Sequence, residues 1–267
     1  MTKRIISLGL ALSLLLLTLV GCSTESKDTK TLKVGATPVP HAELLNFIKP
    51  VLEEEGITLE IVEFTDYVTP NLALADGEID VNFFQHVPYM ESFAAEHSLE
   101  LVSAGAVHVE PLGLYSKTFK SVSEIPAGAV IAIPNDPTNE GRALLLLQAE
   151  GLIKLKADAT LEATEADIVE NSLELVFKPI DAAQLPRTLD DVDGAVINTN
   201  YALEAGLNPT ADAVLLEGAE SPYANILTVL PENLENESVK ALLKALQSDA
   251  VKAFIEDTYK GAVVPAF

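Results

Sequence analysis

Residues 129–151 read Ala-Val-Ile-Ala-Ile-Pro-Asn-Asp-Pro-Thr-Asn-Glu-Gly-Arg-Ala-Leu-Leu-Leu-Leu-Gln-Ala-Glu-Gly, which predicts a strand, a turn and a helix. The apolar run at 130–133 predicts the strand, and the polar residues after it are typical of a helix start. Asp136 fits the capping position and Pro137 the first helical position, where a missing N–H costs nothing. The leucines at 144–147 predict a buried helix face, and Gly151 a C-terminal stop.

Strands and helices alternate on both sides of this unit. Apolar runs bounded by turn residues predict further strands at 31–36, 57–64, 79–84, 101–109, 173–177, 194–197, 213–216 and 224–229. Helices are predicted from 41, 70 and 88 onward, at 163–171, 182–189 and 200–205, and as a pair within 236–259. This order implies an α/β protein with two sheets rich in parallel strands. With 267 residues, the chain is long enough for two modest domains.

The first 21 residues predict a secretory signal. Lys3 and Arg4 precede an apolar run at 5–20, and the residues Leu19-Val20-Gly21-Cys22 resemble the lipobox of bacterial lipoproteins. Cys22, the only cysteine of the sequence, is therefore expected to carry a lipid as the first mature residue. Residues 22–30 are then a lipidated, flexible tether. A retained membrane-spanning helix at 5–20 is the alternative.

The charge balance excludes one class of partner. Seventeen basic and 40 acidic residues give −23, and removal of 1–21, which holds two basic residues, gives 15 − 40 = −25. Such a surface repels phosphate backbones and anionic lipid head groups. Nucleic acid is therefore not an expected partner, and membrane attachment must come from the lipid.

The sequence contains no motif of an enzyme active site. It has no Gly-x-Ser-x-Gly elbow, no phosphate-binding loop and no Gly-x-Gly-x-x-Gly after a strand. No two of its histidines stand four residues apart, so no metal site and no cofactor are expected. The histidines are His41, His86, His97 and His108.

Arg142 is one of only three arginines, and it follows Asn139 by three residues, so the two share a helix face. They lie near the helix end whose free N–H groups favour an anion, and a guanidinium suits a carboxylate. We therefore predict an anion site here. The alternative is a helix residue that pairs with Glu140 or another acid.

Aromatic and amide side chains gather where predicted strands end. Ligands of open α/β sheets bind outside the carboxyl ends of strands. Aromatic walls, a few amides and one arginine suit a small zwitterion with an apolar side chain. The residues concerned are Tyr67, Phe83, Phe84, His86, Tyr89, Asn198, Asn200 and Tyr201.

Several long strings carry a resemblance over essentially the whole chain to the NlpA-type methionine-binding lipoproteins, the substrate-binding component of a bacterial methionine ABC importer. This resemblance implies a two-domain periplasmic-binding-protein fold (type II-like), with the ligand cleft between the domains. The first domain would be 31–110 plus 226–267, and the second 111–225, with hinges near Glu110 and Asn225. The strings are 66–71, 72–80, 83–86, 133–147, 183–187, 190–205 and 221–225.

The resemblance also implies roles for particular residues. Arg142, with Asn139 beside it, would bind the substrate carboxylate, and Asn200 and Asn225 would hold its amino and carboxylate groups. The residues that would line the side-chain pocket are Tyr67, Phe84, His86 and Tyr89. Arg187 would be structural or at the rim of the cleft.

The implied function is a lipid-anchored extracytoplasmic protein that delivers L-methionine to a membrane permease and its cytoplasmic ATPase. No feature demands an oligomer, so a monomer is expected. Alternatives are the same fold with D-methionine, a methionine dipeptide or another apolar amino acid. Two more distant alternatives are an enzyme with His86 as base and a lipid-anchored adhesin.

Overall fold

The computed structural model describes residues 30–218 and 222–267 and has the expected α/β architecture with two main sheets. Cys22 lies outside the described residues, and its lipidation stays a prediction. The strands are β1 (Lys30–Ala36), β2 (Ile57–Glu63), β3 (Val81–His86), β4 (Val102–Val109), β5 (Gly113–Tyr115), β6 (Val130–Pro134), β7 (Lys154–Leu155), β8 (Ile168–Glu170), β9 (Val176–Ile180), β10 (Gly194–Ile197), β11 (Leu215–Leu216), β12 (Ala224–Val229) and β13 (Val264–Pro265). The helices are α1 (Glu43–Glu54), α2 (Thr69–Ala75), α3 (Val87–His97), α4 (Pro137–Ala149), α5 (Leu185–Thr188), α6 (Thr199–Glu204), α7 (Pro209–Asp212), α8 (Glu237–Leu246) and α9 (Asp249–Tyr259).

Both sheets are mixed, so the prediction of parallel-rich sheets is wrong. The first sheet has the order β13-β4-β12-β3-β1-β2, and the second β11-β5-β10-β6-β9. In the first sheet β1 pairs in parallel with β2 and β3, while β12 runs antiparallel to both β3 and β4. In the second, β10 is parallel to β6 but antiparallel to β5. Helical crossovers produce the parallel half of each sheet, and the returning strands produce the other half.

The predicted helix at 163–171 is wrong. The structure has one short helical turn, Glu165–Asp167, followed by β8. The Asp167 carboxylate accepts from the backbone N–H of Thr164 and so caps the start of that turn, and β8 then pairs with β7 in a two-stranded ribbon. The turn has reciprocal capping contacts but no buried residue, so nothing extends it into a helix.

Each sheet has its own core. Helix α1 buries the predicted stripe Leu44, Leu45, Ile48 and Leu52 in the core of the first sheet. Helix α4 buries Leu144, Leu146 and Leu147 in the core of the second sheet, whereas Leu145 stays half-buried, since four consecutive residues cannot all face one side of a helix.

Gly141 lets α4 approach the segment 161–163 closely. A Cβ built on Gly141 would run into the backbone carbonyl oxygen of Leu161 and lie 2.9 Å from the backbone nitrogen of Ala163. This close packing holds the first two turns of α4, which carry Asn139 and Arg142.

The chain passes from the first sheet to the second between β4 and β5, and returns between β11 and β12. Side chains from helices of the second sheet donate hydrogen bonds to backbone carbonyls of the segment that joins β4 to β5. Arg142 Nη2 donates to the carbonyl oxygen of Glu110 over 2.8 Å, and Thr199 Oγ1 donates to that of Pro111 over 2.5 Å. Among residues 30–218 and 222–267, no helix combines the length and apolar character that crossing a bilayer requires.

Candidate functional site

A narrow, largely closed cleft receives side chains from both sheets. All eight residues predicted to bind ligand line it, and so does Asn198, which the sequence placed in the same aromatic and amide cluster. The predicted eight are Tyr67, Phe84, His86, Tyr89, Asn139, Arg142, Asn200 and Asn225, and three further lining residues that were not predicted are Gln85, Glu110 and Thr199.

The apolar wall consists of Tyr67, Phe84 and Tyr89. The Tyr67 ring centroid lies 5.8 Å from that of Phe84 and 5.8 Å from that of Tyr89, within the range of favourable aromatic pairs. The Tyr89 hydroxyl donates to the backbone carbonyl of Tyr67 over 2.9 Å, which orients the Tyr89 ring. Phe84 faces the cleft while its neighbour Phe83 packs in the core of the first sheet, as the alternation of strand residues requires.

His86 joins the end of β3 to the start of α3. Its Nδ1 accepts from the backbone N–H of Tyr89 over 3.2 Å and so caps the helix. Burial, aided by the charge of Arg142, lowers the pKa of His86 from 6.5 to about 3. The ring is therefore neutral at pH 7, with its proton on Nε2, which faces Asn139 Oδ1 at 3.4 Å.

A chain of hydrogen bonds orients two amides of the second sheet. Both carboxylate oxygens of Asp136 accept from Asn139 Nδ2, over 3.0 and 3.1 Å, which turns Asn139 Oδ1 toward Asn198. Asn198 Nδ2 donates to that oxygen over 2.9 Å. Asn198 Oδ1 is left buried, with no partner in the described part of the chain, and it is an acceptor.

A second unpaired group comes from Asn200. Its Oδ1 accepts from the Tyr67 hydroxyl over 2.5 Å, a hydrogen bond that joins the two sides of the cleft. Burial, then the neighbouring Tyr201, raises the pKa of Tyr67 well above 10, so its hydroxyl keeps the proton it donates. Asn200 Nδ2 is then a buried donor without a partner among residues 30–218 and 222–267. A buried donor and a buried acceptor without partners, both in residues of one cleft, indicate a ligand that supplies both.

Arg142 pairs with an acid, but not with Glu140 on its own helix. Its Nε donates to Glu217 Oε1 over 3.1 Å, and its Nη2 also donates to the Glu217 carboxylate. The Tyr223 ring lies against the guanidinium, 4.3 Å from ring centroid to Cζ. Among the described residues, Nη1 has no acceptor, so this edge of the fork can receive an anion while Glu217 and Tyr223 fix its plane.

Glu110 is a functional candidate that the sequence did not reveal, and it lies with two histidines: His108, two residues before it, and His41, which is distant in sequence. Glu110 Oε1 is 2.7 Å from His108 Nε2 and 3.2 Å from His41 Nε2. Burial lowers the pKa of His41 to about 4 and of His108 to about 3, so both rings are neutral at pH 7. Burial raises the pKa of Glu110, while His41, Arg142 and the Asn200 backbone N–H oppose that rise.

The structure also bears on Arg187 and on the expected absence of a metal site. Arg187 is exposed and does not line the cleft. The sequence predicted no metal site, because its histidines have no helical spacing, yet His41, His108 and Glu110 place one ligand atom each within 4.8 Å of one another. His108 and Glu110 are two residues apart in sequence, and the fold brings the distant His41 to them.

Comparison with known proteins gives consistent similarities. The sequence profile of the NlpA lipoprotein family matches residues 32–267. The chain is 49 % identical to the membrane lipoprotein TpN32 of Treponema pallidum over 92 % of each chain. It is 42 % identical to the D-methionine-binding lipoprotein MetQ of Escherichia coli K12 over 93 % of each chain.

A solved structure is similar throughout its length. It is a nutrient-binding protein from Burkholderia cenocepacia bound to methionine, 50 % identical, with a TM-score of 0.86 over 88 % of this chain and all of that chain. The similarity confirms the predicted periplasmic-binding-protein fold.

Proposed function

Because the chain belongs to the NlpA lipoprotein family, we propose that it captures L-methionine outside the cytoplasm and delivers it to an ABC importer. The observation that carries the proposal is the pair of buried, unpartnered groups in one cleft, the donor of Asn200 and the acceptor of Asn198. A zwitterion supplies an acceptor and a donor on neighbouring atoms. The aromatic wall beside them accommodates an apolar side chain.

The ligand's carboxylate receives N–H groups from Arg142 Nη1 and Asn200 Nδ2. These donors are already fixed, by Glu217 and by Tyr67, so little reorganisation is needed when the ligand binds. The side chain lies against Phe84, Tyr67 and Tyr89, where contacts of a thioether sulfur with the rings contribute roughly 0.3–1.5 kcal/mol.

Binding works by closure of two domains, 31–110 plus 226–267 and 111–225. The hydrogen bond from Tyr67 to Asn200 spans the cleft, and a ligand that contacts both sides stabilises the closed form. Closure excludes water and strengthens each charge-assisted hydrogen bond. A permease with its ATPase then recognises the closed, loaded form.

The protein is held at the extracytoplasmic face of the membrane by a lipid on Cys22 and acts as a monomer. It catalyses no reaction, needs no cofactor and binds no nucleic acid. The same cleft with D-methionine, a methionine dipeptide or another apolar amino acid is the second candidate, since relatives carry the name of a D-methionine-binding lipoprotein.

Calorimetric titration tests the proposal. The purified protein is unfolded and refolded to remove carried-over ligand, then titrated with L-methionine, D-methionine, glycyl-methionine and L-leucine. We expect one-to-one binding that is tightest for L-methionine. If D-methionine or the dipeptide binds more tightly, that ligand becomes the assigned substrate in place of L-methionine. If none of the four binds, the proposal is refuted.

A further inference from the structure

Glu110 lies on the crossing segment between β4 and β5, lines the cleft, and is only 6 % exposed. Arg142 contacts its backbone carbonyl, and of the predicted ligand-binding residues Asn200 reaches the Glu110 carboxylate through its backbone N–H. A buried carboxylate that faces a ligand cleft needs a partner, because an uncompensated buried charge is costly.

The hydrogen bonds around Glu110 identify its Oε1 as an acceptor rather than a donor. His41 Nε2 faces two acceptors, Glu110 Oε1 at 3.2 Å and Asn225 Oδ1 at 3.0 Å, so this nitrogen carries the ring proton. Its Nδ1 then accepts from the Thr37 hydroxyl over 2.6 Å. Two acceptors around one nitrogen leave no arrangement in which Glu110 supplies the proton of that contact.

His108 leads to the same conclusion. Its Nδ1 is buried and has no partner in the described chain. A buried N–H without a partner is rarer than a buried acceptor without one, so the proton lies on Nε2 and is donated to Glu110 Oε1 over 2.7 Å. Two neutral imidazoles thus donate to a single carboxylate oxygen and hold the group in place.

No cation of the described residues forms an ion pair with this carboxylate. Arg142 donates to the Glu217 carboxylate from both Nε and Nη2, and its one hydrogen bond to Glu110 goes to the backbone carbonyl. With both histidines neutral, an ionised Glu110 gives the group Arg142, Glu217 and Glu110 one net negative charge. A cationic group of the ligand beside Glu110, next to Nη1 of Arg142, balances that charge.

We propose that Glu110 is the acceptor for the α-ammonium of the ligand, with His41 and His108 as positioning residues and Asn198 Oδ1 as a second acceptor. This inference rests on the proposed function and narrows its substrate class. The site selects free α-amino acids, because carboxylate and ammonium must stand on the same carbon to reach Arg142 and Glu110 together. Carboxylic acids without the amine, N-acylated amino acids and peptides are rejected.

The test compares two ligands on three proteins. L-methionine and 4-(methylthio)butanoate, which is methionine without its ammonium, are titrated calorimetrically into refolded wild type, Glu110→Gln and Glu204→Gln. Glu204 is an exposed acid that does not line the cleft. The titrations are run at pH 8, above the pKa of about 7 to which desolvation raises Glu204, so that the control substitution removes a charge. EDTA excludes a divalent cation from the three side chains.

In wild type and Glu204→Gln, loss of the ammonium should weaken binding strongly. In Glu110→Gln the same loss should matter at least about tenfold less, since close charge pairs at interfaces show coupling of this order or more. Equal weakening of both ligands by Glu110→Gln, or no weakening of L-methionine, would overturn the inference.

The His108→Gln variant supports the same comparison and replaces Glu110→Gln if that variant does not refold. A positioning role predicts that His108→Gln weakens L-methionine more than the amine-free acid, whereas a role in folding alone would weaken both equally. If wild type does not bind L-methionine, the proposed function fails, and the comparison is repeated with whichever amino acid of a full panel binds. If no amino acid binds, this inference fails as well.

Discussion

Replacement of Arg142 by alanine should reduce both ligand affinity and stability, by amounts that the structure allows to be worked out separately. The Arg142 side chain is 4 % exposed and that of its partner Glu217 is 17 % exposed. Removing one partner of a buried ion pair costs about 3–5 kcal/mol, and the partial exposure of Glu217 places the loss of stability near the lower end, about 3 kcal/mol. Loss of the charge that faces the ligand carboxylate costs a further 2–5 kcal/mol or so of binding, roughly 30- to 4,000-fold in affinity.

Two companion variants separate the roles. Arg187→Ala removes the same group from an exposed position and should change the free energy of unfolding by no more than about 0.5 kcal/mol. Glu217→Gln breaks the same ion pair but leaves the guanidinium in place, so it should destabilise the fold while weakening binding by less than about tenfold.

Urea denaturation measures the stability, and calorimetric titration with L-methionine below the onset of unfolding measures the affinity. The reasoning would be refuted if Arg142→Ala lost stability but kept its affinity within about threefold of wild type. Equal affinity losses in Arg142→Ala and Glu217→Gln would also refute it, because the guanidinium would then affect ligand binding only through its ion pair with Glu217.

Three further outcomes are expected. The neutral, buried His86 has a pKa of about 3 in the folded protein against 6.5 when unfolded, so its contribution to stability is complete above pH 6.5 and falls with decreasing pH. The variant His86→Asn keeps a capping acceptor and should reduce the slope of the unfolding free energy against pH by up to about 1.4 kcal/mol per pH unit below pH 6.5. Urea denaturation measures this slope, and an unchanged slope would contradict the prediction. Gly141→Ala should lower the free energy of unfolding by about 1–3 kcal/mol in the same assay, because the added Cβ meets the backbone of Leu161. Gly218→Ala adds a Cβ with nothing within 4 Å and should leave stability unchanged. Equal effects of the two substitutions would show that the close approach of α4 to Leu161 does not require glycine at 141. Wild type should prefer L-methionine over L-norleucine by about 2- to 13-fold through sulfur–ring contacts, and Phe84→Leu should bring that calorimetric ratio toward one; an unchanged ratio would show that the sulfur does not contact Phe84.

Much of the fold could be predicted because its elements are bounded by strong local signals. The strands Gly194–Ile197 and Ala224–Val229 occur as predicted, and Asp136 caps α4 with Pro137 at its first position. The direction of the strands could not be predicted. Whether β12 runs parallel or antiparallel to β3 depends on which way the chain returns from the second sheet, and no local pattern records this.

The candidate site, like the fold, could be predicted only in part from the sequence. Aromatic residues and the arginine could be found because they stand at strand and helix ends, where ligands bind. The pairing of Arg142 with Glu217 and the contact of His41 with Glu110 join residues far apart in sequence. Arg142 is 75 positions from Glu217, and nothing near either residue marks it as the partner.

The place of β12 in the first sheet imposes an order on synthesis and export. Strands β3 and β4 do not pair with each other; both pair with β12, which the ribosome reaches only after the whole second sheet. The second sheet can therefore form while the first still has two open edges, and open edges are prone to pair with other chains. A nascent chain that stalls before residue 224 would keep both edges exposed, so secretion of an unfolded chain, followed by folding once residue 229 has emerged, is the safe route for this topology.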